Sequence, residues 1–440
     1  MIKEFWIGYW FKPWYLLYKI GYAIVITGIR SYFKNHQYDG KKSIPANTGI
    51  LYAVNHQNAF LDPIVIAGKT KEPTYFLTRA DIFKNPLVAK LLSMIYMLPI
   101  YRQRDGVDTI KMNQKTFDTC YDVLKQNGNI IIFPEGNHHY KKSLRPLKKG
   151  VARIALGAAK KYNYDINLKI VPLGIDYEDH FRMNGSLYLN AAKPIDVSDY
   201  FENFKSNPSE TVNKLSEHVY SKLSDLIINI KDNDHYDQLY YLLHRVPLSI
   251  KESSVKLKFD ERKKRLEKLE KLQTENKSLY TNFMVVTEKL KHEMKKHQIR
   301  PYLLHKSPDS VLKLITYTFV LLCSLPIHLI GLMLNYLPYK IPVWFVNKSV
   351  KDKHFHGSLK MAIGPVLFFI YWAATTILLS VIFGWKYGLL FLPALPFTAL
   401  FSFRYWILLT KVKGMYAYRK NYDELHEIKR EYLKMYEILK

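Results

Sequence analysis

Three long apolar stretches crowd into the last third of the chain, at 312–337, 361–384 and 387–410. Lys313 and Pro326 mark the first, and the last is interrupted only by Arg404 near its end. Each reaches the ~20 residues that a membrane-spanning helix needs, and three within a hundred residues exceed what a soluble core uses. The residues between the first two carry Lys340, Lys348, Lys351, Lys353 and Lys360, and those after the third carry Lys411, Lys413, Arg419 and Lys420. Basic loops favour the cytoplasmic side, which three full crossings cannot satisfy. The sequence therefore predicts that the first stretch turns back at Pro326, as a hairpin or re-entrant segment, and that the other two form a hairpin through the bilayer.

The rest of the chain has a different texture. Residues 1–35 interleave Trp6, Trp10, Trp14, Tyr15, Tyr18 and Tyr22 with lysines, and the apolar run 20–29 is too short to span. This reads as one or two helices lying in the membrane interface, or as a helix packed on its own domain. Lys12 and Lys19 interrupt the segment and no A-x-A site follows, against a cleavable signal peptide. Residues 36–250 alternate short β-branched runs (49–54, 74–77, 129–133, 168–173, 187–189) with helical stretches such as 109–126 and 150–162. That alternation predicts an α/β domain, a central mixed sheet covered by helices. Residues 251–305 are rich in Lys and Glu with leucines at helical spacing, a charged helical linker. Residues 306–410 form the transmembrane region and 411–440 a basic amphipathic tail.

The chain carries 65 Lys+Arg against 38 Asp+Glu, a formal charge of +27. Such an excess needs an anionic partner: nucleic acid, anionic lipid or a phosphorylated substrate. No nucleic-acid module is recognisable, so beside apolar spans the anionic lipid surface is the better reading. Cys120 and Cys323, far apart, exclude a disulfide framework and a Cys-based metal site. The pair His138-His139 has no ligand at matching spacing, which favours a surface or phosphate-facing role over a metal.

Chemistry concentrates in four short blocks. NHQNAFLD, Asn55 to Asp62, sets His56 just past a predicted strand with Asp62 six positions on. An imidazole there can serve as a general base once a carboxylate fixes its tautomer and orientation. Taken alone the pair is weak, because a His and an Asp six apart recur by chance. Next, PIYRQR places Arg102 and Arg104 after an apolar run, and guanidinium forks suit phosphate. FPEGN then holds Glu135 in a turn between Pro134 and Gly136. Finally IVPLG is a buried strand interrupted by Pro172, which predicts a sheet edge or a bulge.

In this order the blocks resemble the phospholipid/glycerol acyltransferase family, which includes glycerol-3-phosphate and lysophosphatidate acyltransferases, over roughly residues 40–200. The resemblance implies His56 as catalytic base and Asp62 as its orienting partner. It puts Arg102, with Glu135 and Gly136, at the acceptor-phosphate site, and Val171 and Pro172 on the acyl-donor side. Two departures stand out. Five residues separate His56 from Asp62 where the family usually has four, resembling a subgroup of eukaryotic-type glycerol-3-phosphate acyltransferases. Asn137 and His138 replace the usual Thr/Ser and Arg after the PEG turn, which leaves the phosphate to Arg102, Arg104, Lys148 and Lys149, with Asn137 alongside.

The expected function is a membrane-bound O-acyltransferase, with acyl-CoA or acyl-carrier protein as co-substrate and no metal or other cofactor. Its acceptor is glycerol 3-phosphate or 1-acylglycerol 3-phosphate. There is no GxSxG elbow, and neither Cys neighbours a motif His, so direct attack is favoured over a covalent acyl-enzyme. The alternatives are transacylation between phospholipids and a non-enzymatic lipid-binding protein on the same scaffold. The positive-inside pattern places the catalytic domain on the cytoplasmic face.

Overall fold

The run Gly49–Val54 is buried at every residue, which its unbroken apolar composition requires of a strand covered on both faces. In the computed structural model, which describes residues 13–70, 73–102, 108–179, 184–246, 248, 254–350 and 355–437, it is a central strand of an eight-stranded sheet. The chain divides into two compact units, Met1–Asn229 with Lys353–Ser358, and Ile230–Asp352 with Leu359–Lys440.

The first unit begins with helix α1 (Pro13–Tyr32), whose last turn buries Ile29 and is followed by buried Phe33. The strands are β1 (Asn35–Asp39), β2 (Gly49–Val54), β3 (Thr74–Arg79), β4 (Met97–Ile100), β5 (Asn129–Ile132), β6 (Leu168–Tyr177), β7 (Ser186–Ala191) and β8 (Ile195–Asp196). Their order across the sheet is β1-β7-β6-β2-β5-β3-β4, with β8 pairing β6. Strands β2 to β6 run parallel, β7 antiparallel to β6, and β1 parallel to β7.

Parallel neighbours need crossovers. They are α2 (Leu61–Ala67), α3 (Pro86–Met94), α4 (Thr109–Lys125) and α5 (Gly150–Lys161). After β8 come α6 (Phe201–Ser206) and α7 (Pro208–Asp225). Leu51 and Ala53 of β2 pack with Ile130 and Ile132 of β5 and Ile170 of β6 against Cys120, Val123 and Leu124 of α4 and Val151, Ala155 and Leu156 of α5. A Cβ on Gly49 would collide with the Leu124 carbonyl, so glycine lets α4 end against the start of β2.

The sheet is mixed and helix-covered, as the sequence predicts. Pro172 is a correction: β6 lies inside the sheet, flanked by β2 on one side and by β7 and β8 on the other. The antiparallel partner changes from β8, which pairs through Ile170, to β7, which pairs from Leu173. Pro172 falls in that gap, where its missing N–H removes no ladder bond, while its carbonyl accepts from Ala192 N at 3.0 Å.

The second unit is helical: α8 (Tyr236–His244), α9 (Val255–Glu275), α10 (Lys277–Lys296), α11 (Val311–Ser349), α12 (His356–Phe383), α13 (Trp385–Phe391), α14 (Ala394–Lys420) and α15 (Tyr422–Glu437). The charged stretch is a packed helix pair, because Phe259, Leu266, Leu269, Phe283 and Leu290 are buried. Residues 230–246 belong to it: Asp232 accepts from Gln273 and Tyr280 at 2.9 and 2.8 Å. The tail is continuous with the last apolar helix as far as Lys420, and α15 then buries Leu425, Tyr432 and Tyr436.

Three helical stretches, Val311–Ser349, His356–Phe383 and Trp385–Lys420, are long and apolar enough to cross a membrane. The first is a single helix through Pro326, Pro338 and Pro342 and does not turn back at Pro326. An opened hairpin in an apolar surrounding would leave backbone N–H and C=O groups unsatisfied, which costs more than a proline kink. Close approach of α11 and α14 at Gly331, where a Cβ would strike Ser402 and Thr398, is fixed by polar glue. Asn335 donates to Thr398 Oγ1 at 3.2 Å and accepts from Trp372 Nε1 at 2.9 Å.

Candidate active site

Four of the five parallel strands end at the edge where the sequence blocks gather: β2 before His56, β4 before Arg102, β5 before Glu135, and β6 with Pro172 inside it. Sites of open parallel sheets form at the carboxyl ends of their strands. Asn55 bolts two of them together. Its side chain accepts from Ile175 N at 2.7 Å and donates to Ile175 O at 3.0 Å, both bonds buried.

His56 Nδ1 lies 2.8 Å from Asp62 Oδ2, with the imidazole 14% exposed and the carboxylate 0%. A carboxylate accepts only, so Nδ1 carries the hydrogen and Nε2 keeps its lone pair. Asp62 sits in the first turn of α2, where helix N–H groups favour a negative charge. Its Oδ2 also accepts from Asn58 N at 2.8 Å, and its Oδ1 from the Tyr177 hydroxyl at 2.6 Å. Burial and the Asp62 charge raise the Tyr177 phenol well above its ordinary range, so it stays a donor.

The PEG turn grips the His56 backbone on both sides. Glu135 Oε1 accepts from His56 N at 2.8 Å, and His139 N donates to His56 O at 2.9 Å. Phe133 stacks on the imidazole with centroids 4.0 Å apart, and the His138 ring meets its edge at 5.6 Å. Gly136 holds φ at +75°, which only glycine adopts without strain. Burial pushes the Glu135 carboxyl up, against the opposing pull of the His56 and Arg145 donors. Arg145 spans the turn, with Nε 3.4 Å from Glu135 Oε2 and its guanidinium on the Asn137 carbonyl. Lys148 N donates to Pro134 O at 2.7 Å, and exposed Lys149 caps α5 directly after it.

The predicted residues therefore fall into two sets. His56, Asp62, Glu135, Gly136 and Asn137 share one contact network, with Lys149 one residue beyond the Pro134–Lys148 bond. Arg102 lies two residues past β4, next to Tyr101, whose N–H and C=O Asn113 holds at 2.8 and 2.9 Å. The Arg102 charge acts on Asp81, whose carboxyl is held below its usual range first by Arg79. Arg104 lies outside the described residues. Val171 and Pro172 are buried in β6 opposite Tyr52 and Ala53, and their strand delivers Ile175 to Asn55 and Tyr177 to Asp62.

Sequence reasoning missed Asn55, Arg145 and Tyr177. Asn55 opens the first block, but its partner is 120 residues away. Tyr177 had no local signal.

Fold and site together define an α/β domain that carries a histidine hydrogen-bonded to a buried aspartate at the end of a central strand. Residues 35–176 match the profile of the Acyltransferase family. It is similar to glycerol-3-phosphate O-acyltransferase 2 of Saccharomyces cerevisiae, 36% identical over 28% of this chain and 16% of the relative. Glycerol-3-phosphate O-acyltransferase 1 of the same yeast is 30% identical over 49% of this chain and 40% of its own length. The chloroplastic 1-acyl-sn-glycerol-3-phosphate acyltransferase LPAT1 of Arabidopsis thaliana is 30% identical over 27% of this chain and 31% of its own length. The chain thus matches less than half of each of these curated relatives. The 1-acyl-sn-glycerophosphate acyltransferase PlsC of Thermotoga maritima overlaps 46% of this chain and 79% of its own, with a TM-score of 0.33 and 18% identity.

Proposed function

We propose that this protein is a membrane-bound O-acyltransferase of glycerolipid synthesis, moving a fatty acyl group from a thioester to glycerol 3-phosphate or 1-acylglycerol 3-phosphate. The carrying observation is the His56 Nδ1–Asp62 Oδ2 contact of 2.8 Å, which reserves Nε2 for a proton. In the reaction Nε2 takes the proton of the acceptor hydroxyl as its oxygen attacks the thioester carbonyl. The new C–O bond forms, the C–S bond breaks, and the imidazolium returns its proton to the departing thiolate. Asp62, held by Asn58 N and Tyr177, stabilises the imidazolium in place. The donor is acyl-CoA or acyl-carrier protein, with no metal or further cofactor. Arg102, Lys148 and Lys149 supply cations for the acceptor phosphate.

The apolar helices anchor the protein integrally, with the catalytic unit on the cytoplasmic face and the basic surface toward anionic lipid. This suits the substrates, whose acyl chains partition into lipid while phosphate and carrier stay in water. The test is purified protein in detergent micelles with acyl-CoA or acyl-carrier protein and each acceptor. Acylated product from either acceptor supports the reading. Product formed only from a phospholipid donor means transacylation. Acceptor binding without product under any donor means a lipid-binding protein on this scaffold.

A further inference from the structure

Ser358 stands 300 residues beyond Asn58 in sequence, yet its hydroxyl donates to the Asn58 side-chain oxygen at 2.6 Å. The two residues are 0% and 1% exposed. Asn58 lies inside the NHQNAFLD block and closes on Asp62 in both directions. Its N–H donates to Asp62 Oδ2, the oxygen facing His56, at 2.8 Å. Its carbonyl accepts from Leu61 N and Asp62 N at 2.8 and 3.1 Å. Phe355 reinforces the same dock, with its ring 5.2 Å from Phe60 and 4.8 Å from His138, whose own ring meets His56. These residues precede and open α12, and Lys353–Ser358 belongs to the first compact unit. The family match ends at residue 176 and contains none of them.

We propose that Ser358 is a positioning residue for the His56–Asp62 pair, acting through Asn58, with Phe355 holding the segment against the site. The kinetic part of this inference rests on the acyl-transfer reading above. The physical reason is local. Without the Ser358 hydroxyl a buried amide oxygen loses a donor, and a residue that shares Asp62 Oδ2 with His56 gains freedom. A base displaced by a fraction of an ångström loses rate without losing substrate affinity. Ser358 sits in the first turn of α12 and within the first unit.

The experiment uses the full chain in detergent. Ser358→Ala should lower kcat by about 5- to 20-fold, the range for one lost hydrogen bond felt in the transition state, with both KM values within about two-fold. Ser358→Thr, which keeps the hydroxyl, should stay within about three-fold. Asn58→Ala should lose a similar amount, and the double variant no more than the larger single loss. Backbone amide exchange over 56–62 should quicken in Ser358→Ala while β5 stays unchanged. The proposal is overturned by a wild-type kcat, by a loss carried in KM, or by single losses that multiply in the double variant. If the wild type transfers no acyl group, the functional reading has failed, and the exchange comparison alone decides the tether: unchanged exchange over 56–62 overturns it.

Discussion

The Tyr177 hydroxyl donates to Asp62 Oδ1 at 2.6 Å, on the carboxylate oxygen opposite the one that faces His56. Lys142, fully buried, holds this end of β6 by an ion pair to Asp176 and a 2.6 Å bond to the Tyr177 carbonyl. Phe33 stacks on the Tyr177 ring from the other side at 5.8 Å. A tyrosine positioned this firmly rotates the Asp62 carboxylate toward His56. Tyr177→Phe keeps the ring and removes the bond. It should lower kcat by about 3- to 30-fold with little change in KM. A wild-type kcat would show that Asn58 N and the helix N-terminus suffice to orient Asp62.

The base itself makes the largest expected difference. His56→Ala should cost on the order of 10²–10⁴ in turnover, the usual range for a general base. Membrane association should not change. Activity kept within a few-fold would remove His56 from the mechanism.

Glu135 is expected to act through the backbone of His56. Glu135→Gln retains an acceptor for His56 N and should keep most of the activity. Glu135→Ala leaves that N–H without its carboxylate and should lose about 10- to 100-fold in kcat. Were Gln and Ala equally damaging, with the loss in acceptor KM, the carboxylate would be needed at the substrate itself.

Two arginines separate phosphate binding from scaffolding. Arg102→Ala should raise the acceptor KM more than the donor KM, because one guanidinium fork to phosphate is lost. Arg145→Ala releases Glu135 and the Asn137 carbonyl and should lower kcat as well. A rise confined to donor KM for Arg102→Ala would move that residue to the other side of the reaction.

The membrane reading is checked by washing. Alkaline carbonate and high salt should both leave the full-length protein in the membrane pellet, as expected if the three helices that are long and apolar enough to cross a bilayer do so. Release by carbonate would show that they pack as soluble helices instead.

Much of the first unit is legible because local composition and final environment agree. GILYAV and the three isoleucines of NIII form unbroken apolar runs since their strands are covered on both faces. The helices 109–126 and 150–162 end within one residue of those observed. Strands β1, NHQYD, and β4, MLPI, escape that logic: one is polar and only half-buried at a sheet margin, the other short and broken by proline. The single helix Val311–Ser349 also ran against the sequence reading, because Pro326 signals a break in water but only a kink where the backbone has no other partner.

By itself the sequence determined the chemistry offered: an imidazole after a buried strand, an acid six positions on, a carboxylate in a Pro-Gly turn and three long apolar stretches. Those are matters of residue type and short-range spacing, which survive in a linear string. Only the tertiary structure decided what holds the site. Asn55 meets Ile175, Asp62 meets Tyr177 and Asn58 meets Ser358 across 120, 115 and 300 residues. A hydrogen bond depends on separation in space, and the sheet order and the return of the chain at Phe355 set that separation. No periodicity in the sequence encodes it.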